Sequence, residues 1–446
     1  MGQSMPTNSN NLSAETAASQ VLQSPWINNL VSSSAANSNF ASLFTDAKNA
    51  VTKDGLPTTK NEDWKYTNLS RVYRDGYKAV SDFGANGFLN KSLEKGEKNF
   101  LHMVDGVVSL STSQIADASL VIANINDVFA NKDQDARYKN LADSLCKIQN
   151  VAGFVSLNQL SVQNLICIYV PKNTAISSTI EICREYSDKF KDIADQHRLL
   201  IYLEDFSSAT IFENTVSHAD SNYFRNTVSE VVCGVGSNLT HINLQNDSKV
   251  STIYNHLSVD QKRDSVYTNF NLNFGGGVVR NEISPKLDGS NVTTNLYGLT
   301  SISGDQHVDN HTVLNHAQPN SQSNEIYRGV YNDSSTGVFN GTIIVQQIAQ
   351  KTNAIQSNNA ILLSKDARIN SKPQLKIFAD DVKCTHGATV GMLSKESLFY
   401  LRSRGISETD AKQMLVRSFL AEVLEEIENE EIYQVVDISL TRSLSK

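Results

Sequence analysis

Between about residues 100 and 383, short apolar or alternating runs recur between polar turns: LICIYV, STIEI, RLLIYLED, TIFENTV, EVVCGVG, THINLQN, STIYNHL, SVYTNFNLNFGGGVV, GTIIVQQIA and AILLS. Such runs, rich in β-branched and aromatic side chains, predict strands, and few helices are expected after about residue 195. Asp288-Gly289, Asn340-Gly341 and Gly275-Gly276-Gly277 are the expected corners, because tight turns need residues that tolerate positive φ. Seven prolines in the whole chain interrupt few ladders. So long a series of strands without helical crossovers leaves a sandwich, a barrel or a solenoid. The missing hairpin rhythm and the Asn- and Ser-rich corners favour coils stacked as a β-solenoid.

The two ends read differently. Residues 1–35, rich in Ser, Asn, Ala and Gln, predict a disordered or weakly ordered tail with a short helix near residues 14–22. Residues 36–100 predict a helical region. There NFASLFTDAKNAV is amphipathic, Pro57 and the polar run to Asp63 end the helix, and Trp64 and Tyr66 are expected to anchor the connection. The β core is assigned to residues 101–391, with a mixed α/β lead-in up to about residue 195. From 392 to 446 the period is helical. SKESLFYLRSR stops at Gly405, a C-cap, and Ser407 with Asp410 reads as a capping box. In the next helix Ala411, Leu415, Phe419 and Val423 share a face, beside Met414 and Ile427. That stripe fits packing on the chain's own body or docking of another subunit, with Leu415, Phe419 and Val423 the candidate contacts. The acidic run 425–431 reads as a solvated helix end.

A chain of 446 residues that is 40% hydrophobic can bury a large core in two to three structural units. Its net charge of -8 argues against a nucleic-acid or anionic-membrane footprint. No Lys or Arg precedes Lys48, and no apolar run nears the roughly 18 residues of a membrane span. A cytoplasmic setting is therefore expected. Five widely spaced cysteines, an odd number, fit reduced thiols better than a disulfide framework. The phosphate-binding G-x-x-x-x-G-K-[ST], the dinucleotide fingerprint and G-x-S-x-G are all missing. No nucleotide is expected to bind this chain, and the motif-bearing enzyme classes are disfavoured.

Two clusters carry candidate chemistry. In DDVKCTHGATVG an extended backbone would point Cys384 and His386 to one face, with Lys383 and Thr385 to the other. Thiolate and imidazole suit iron, zinc or copper, but a structural zinc or a cluster wants about four protein ligands. Any others must come from elsewhere, a partner chain being the natural source; the alternative is a buried cysteine beside a hydrogen-bonded histidine. In HVDNHTVLNH, the spacing of His307 and His311 resembles a zinc helix, but the H-E-x-x-H glutamate is absent. Polar side chains lining a stack of turns are expected there for His307, Asp309, His311 and His316, and no catalysis.

Five segments, LPTTKNEDWKYTNL, HTVLNHAQPNSQSNEIYRGV, GVFNGTIIVQQIAQKTNAIQSNNAILLS, KPQLKIFADDVKCTHGATVG and LFYLRSRGIS, occur in an order that resembles the SufB/SufD family of iron–sulfur cluster assembly proteins. The likeness runs from about residue 55 to 425 and is densest after residue 300. His386-Gly387-Ala388-Thr389 stands where SufB members carry H-E-A-T, and no C-G-A-H-T-type segment occurs, so the likeness is to the SufD side of the family.

The resemblance implies a right-handed parallel β-helix flanked by helical regions, and a non-catalytic scaffold subunit of a SufBCD complex. It implies pairing with SufB through the β-helices, and docking of the SufC ATPase on the C-terminal helices. A nascent iron–sulfur cluster, or iron, would be held transiently at the SufB–SufD interface, with His386 acting beside a SufB cysteine and Cys384 adjacent. A homodimer in isolation is the variant of this reading. A β-helix carbohydrate-active enzyme is the rival from another class, which predicts a signal peptide and paired carboxylates or a calcium site.

Overall fold

The computed structural model describes residues 21–444 apart from 22, 34–40, 75, 81–93, 149–152, 162–163, 189–190 and 219. From Ile180 onward the chain alternates between two parallel sheets. One takes Ile193–Leu203, Tyr223–Cys233, Thr252–Gln261, Val278–Leu287, His307–His316, Thr336–Val345 and Arg368–Ile377. The other takes Ile180–Tyr186, Ser208–Ser217, Asn238–Asn246, Val266–Asn273, Thr293–Ile302, Gln322–Tyr331, Asn353–Leu362 and Lys383–Gly391. Each strand pairs in parallel with the strand one coil away, which makes a β-solenoid of about seven turns. The coils are not strict repeats: paired residues are 26 positions apart at Thr252 and Val278 but 32 apart at Thr336 and Arg368. That variation hides the period from a reading of the sequence.

The inward alternation of both sheets supplies the long core, from Leu101 and Ile182 through Val259, Tyr267 and Leu314 to Phe339 and Ala354. Two further cores lie outside the sheets. Over the early coils of the first sheet, Leu200, Phe224, Val228 and Tyr254 are covered by Trp26, Trp64 and Phe154. These come from the helix Pro25–Ser33, the short 3-10 turn Glu62–Trp64 and the helix Phe154–Gln159. Over the second sheet, Phe270, Leu272, Tyr297 and Leu299 are covered by the helices Glu408–Leu424 and Glu430–Leu444.

Several local expectations change. Most of the expected tail, with its helix near residues 14–22, lies outside the described residues, but Pro25–Ser33 is helical. Trp26 and Ile27 are buried there, and Trp26 Nε1 donates to the Val72 carbonyl at 2.9 Å. One indole and three aliphatic side chains outweigh the polar composition around them. Trp64 is buried as expected, whereas Tyr66 is half exposed.

The corners differ too. Gly276 is left-handed, but Gly341 sits inside the strand Thr336–Val345. One row of left-handed positions runs through Phe206, Gly236, Asp264, Asn291, Asn320 and Lys351. Each N–H of this row donates to the next coil, as Asp264 does to Ser290 and Asn291 to Pro319. Asn, Asp and Gly dominate it because they carry positive φ at least cost. Gly289 serves close approach, since a Cβ there would lie 2.0 Å from the Arg263 nitrogen of the preceding coil.

After the last strand the chain turns helical. The helix Lys395–Ser403 closes with Gly405 at φ +86°. Ile406 N–H donates to Leu401 and Gly405 N–H to Arg402, the paired bonds of a Schellman end. Ser407 Oγ then accepts from the Asp410 N–H and caps the next helix.

Candidate cluster-assembly site at the open end of the solenoid

The strand Lys383–Gly391 is the last of its sheet. Its one neighbour is Asn353–Leu362, with Cys384 paired to Ala354 and His386 to Gln356. Arg368–Ile377 ends the other sheet in the same way. Among the described residues no coil covers this end, so the inward face of the final strand, a core surface elsewhere, opens outward. Cys384 and His386 lie together on that face, as their spacing requires. Cys384 is half-buried against the inner core, and burial pushes its thiol up. His386 is exposed. Around the rim lie exposed Ile377, Phe378, Val390 and Met392. An uncapped edge with apolar neighbours invites strand pairing with another chain.

Cys384 and His386 are the two candidate ligands that the described residues bring to the spot. Among the described residues no group of three or more His, Cys, Asp or Glu side chains could hold a metal ion. All five cysteines are free, and Cys167 and Cys233 are buried, far from a reactive setting.

The second cluster has another role, and it lies on a strand, His307–His316, rather than in a stack of turns. Buried Asp309 takes Arg280 Nη1 at 2.7 Å, His311 Nε2 at 3.2 Å and the hydroxyl of Thr67. His307 meets the same hydroxyl at 2.9 Å. Arg280 also donates to the Asp63 carbonyl at 2.8 Å and stacks 3.8 Å over the Trp64 ring. The cluster therefore clamps residues 63–67 onto the solenoid. His316 points inward instead, bonded to Ser323 at 2.9 Å, and burial lowers it to about 4.

The helical stripe also divides. Ala411 is fully buried, and Val423 is fully buried against the chain's own sheet, with Val416, Leu420 and Leu424 on the same face. Val423 thus has no surface to offer a partner, because the apolar stripe is satisfied internally. Leu415 and Phe419 are half-buried, and Phe419 packs on the same core. Arg328 pins the helix through Glu422 at 3.0 Å. Outward apolar groups include Met414, Ile438 on the helix Glu430–Leu444 and, on the helix Lys395–Ser403, Phe399 and Tyr400; the helix Lys395–Ser403 buries no residue. No described helix is long and apolar enough to cross a membrane.

Comparison with known proteins gives two family matches laid nearly end to end. The SufBD protein N-terminal region spans residues 29–182, and the SufBD core domain of the SUF system for FeS cluster assembly spans residues 186–419. An iron–sulfur cluster assembly SufBD family protein of Synechocystis sp. is 30% identical over 83% of this chain and 84% of its own length. The iron–sulfur cluster assembly protein SufD of Escherichia coli is 29% identical over 86% and 88%, and SufD of Bacillus subtilis 28% over 83% and 85%. The chain belongs to the SufBD family of iron–sulfur cluster assembly proteins and is SufD-like.

Proposed function

We propose that this chain is the scaffold subunit of a SufBCD-type complex and carries half of a cluster-assembly site at the open end of its solenoid. The observation that carries the reading is the pairing of Cys384 and His386 on a terminal strand whose outer edge is unpaired. A SufB solenoid docked end to end would continue the sheets, cover the apolar rim and supply the missing ligands. The nascent cluster is cargo, shared across the joint and released. In the same reading SufC docks on the C-terminal helices, through Phe399, Tyr400 and Met414 with the half-buried Leu415 and Phe419. Nucleotide-driven movement of SufC would reach the joint through the second sheet, which those helices cover, and would expose the pair.

The test is co-expression with the cognate SufB and SufC, anaerobic purification, and measurement of iron and sulfide for wild type and His386→Ala. A complex that forms in both, with cluster lost in the variant, is the expected result. Unchanged cluster content with lowered stability would reduce Cys384 and His386 to packing residues.

A further inference from the structure

Beneath His386 the inward register of the second sheet reads Leu296, Glu325, Gln356 and His386 across four successive coils. The first three are buried and the last stands at the open end. Gln356 donates from Nε2 to Glu325 Oε2 at 2.7 Å. Oε1 of the same amide is buried and has no hydrogen-bond partner among the described residues. A buried carbonyl oxygen left unpaired is an unfavourable state that native structures rarely retain. With its nitrogen turned to the Glu325 coil, the amide leaves its oxygen for the coil on the other side, which is that of His386. Room for this arrangement comes from the opposite wall: a Cβ on Gly341 would lie 2.4 Å from Gln356 Nε2 and 2.7 Å from the Phe339 ring.

Adjacent strands are about 4.8 Å apart, within reach of an imidazole on one and an amide on the other. An exposed histidine turns freely about its side-chain bonds on a nanosecond scale. A ligating histidine generally donates its second ring N–H to a fixed acceptor, which settles tautomer and orientation. We propose that Gln356 is the positioning residue for His386: its Oε1 accepts one ring N–H, and the other ring nitrogen then faces out of the solenoid as the ligand. Glu325 holds the amide the right way round, and the missing side chain at 341 lets it lie there. The inference rests on the reading of His386 as a ligand.

The test uses the full chain under anaerobic conditions with Co2+ alone as the probe, followed by thiolate-to-cobalt absorption, in wild type, His386→Ala, Gln356→Met and Gly341→Ala. His386→Ala should abolish the signal. Gln356→Met, similar in volume but without the acceptor, should weaken Co2+ binding about tenfold or more at unchanged circular dichroism. Should that variant fail to fold, Gly341→Ala displaces the amide without removing it and should weaken binding in the same sense. With Zn2+ bound, the His386 ring shifts in NMR should report one tautomer in wild type and a mixture in Gln356→Met, which a purely structural role would not produce. Loss in His386→Ala with wild-type affinity and one tautomer in Gln356→Met overturns this proposal alone. Unchanged binding in His386→Ala overturns it together with the ligand reading.

Discussion

Replacing Asp309 by Ala should release the segment 63–67 from the solenoid while leaving the coils intact. Asp309 and Arg280 are each about 1% exposed and lie 2.7 Å apart. Removing one partner of such a pair costs about 3–5 kcal/mol, because the other charge stays buried. Here Glu282 remains 2.8 Å from the Arg280 guanidinium, so about 3 kcal/mol, the low end, is expected. That raises the population of the released segment by about a hundredfold. The assay is built in: the chain has two tryptophans, Trp26 and Trp64, and Trp64 lies under Arg280. In a Trp26→Phe background, Trp64 emission in Asp309→Ala should shift to the red at lower urea than the circular dichroism of the sheets, whereas the parent loses both together. A variant in which the two probes still coincide, with the parent's midpoint, would refute the clamp. The pH dependence has a fixed sign. Burial works to raise the Asp309 carboxyl, but the His311 hydrogen bond and the Arg280 charge outweigh it and hold the group below its usual range. The stabilisation is therefore complete above about pH 4 and is lost only as pH falls through the depressed value.

Other outcomes follow from the same geometry. Val423→Asp puts a charge in the seam between helix and sheet and should destabilise by about 3 kcal/mol or more, seen as a lowered melting temperature. Phe399→Asp, at an exposed position, should leave melting unchanged and abolish SufC co-purification; retained SufC binding would remove that helix from the docking surface. Burial raises the Glu325 carboxyl to about 7, so this residue favours the folded state less as pH rises from about 4.5 to 7, by about 3 kcal/mol in all. Glu325→Gln should accordingly be more stable than wild type at pH 8 and show no such loss, in urea titrations at several pH values. His316, held near 4, acts with the opposite sign between about pH 4 and 6.5, so the difference between the two chains, not the wild-type curve, isolates Glu325.

What the sequence disclosed depended on whether a residue's role is set by its own strand or by the strand one coil away. The strand runs and the shared face of Cys384 and His386 follow from alternation within a strand, the solenoid preference from the missing hairpin rhythm and the Asn- and Ser-rich corners, and each appears in the structure. The helix caps at Gly405 and Ser407 are equally local. HVDNHTVLNH was visible as a cluster, but its function was not. Besides His311 on its own strand, the partners of Asp309 are Arg280, one coil back, and Thr67, more than two hundred residues away. The helical stripe likewise announced an apolar face without saying what would cover it, and Val423 proved to face its own sheet.

Gln356 shows the same division at the site itself. Nothing in NAIQSNNAIL marks that glutamine, and Glu325 is one polar residue among several in QSNEIYRGVY. A signal did exist: both are polar side chains at inward positions of their strands, and Leu296, paired with Glu325 one coil back, is apolar. Reading it needs the register between coils, and coil lengths that vary from 26 to 32 residues deny that register to the sequence. Once the register is known, the chemistry is constrained from both sides. Leu296 stands beside Glu325 on the inner side, Gly341 gives the amide its room, and the first inward side chain of that ladder left without a covering coil is His386. A solenoid that ended one coil later would bury this histidine as the core buries His241, against a carboxylate at 2.6 Å. The open end is thus what separates a packing histidine from one available to a partner's ligands.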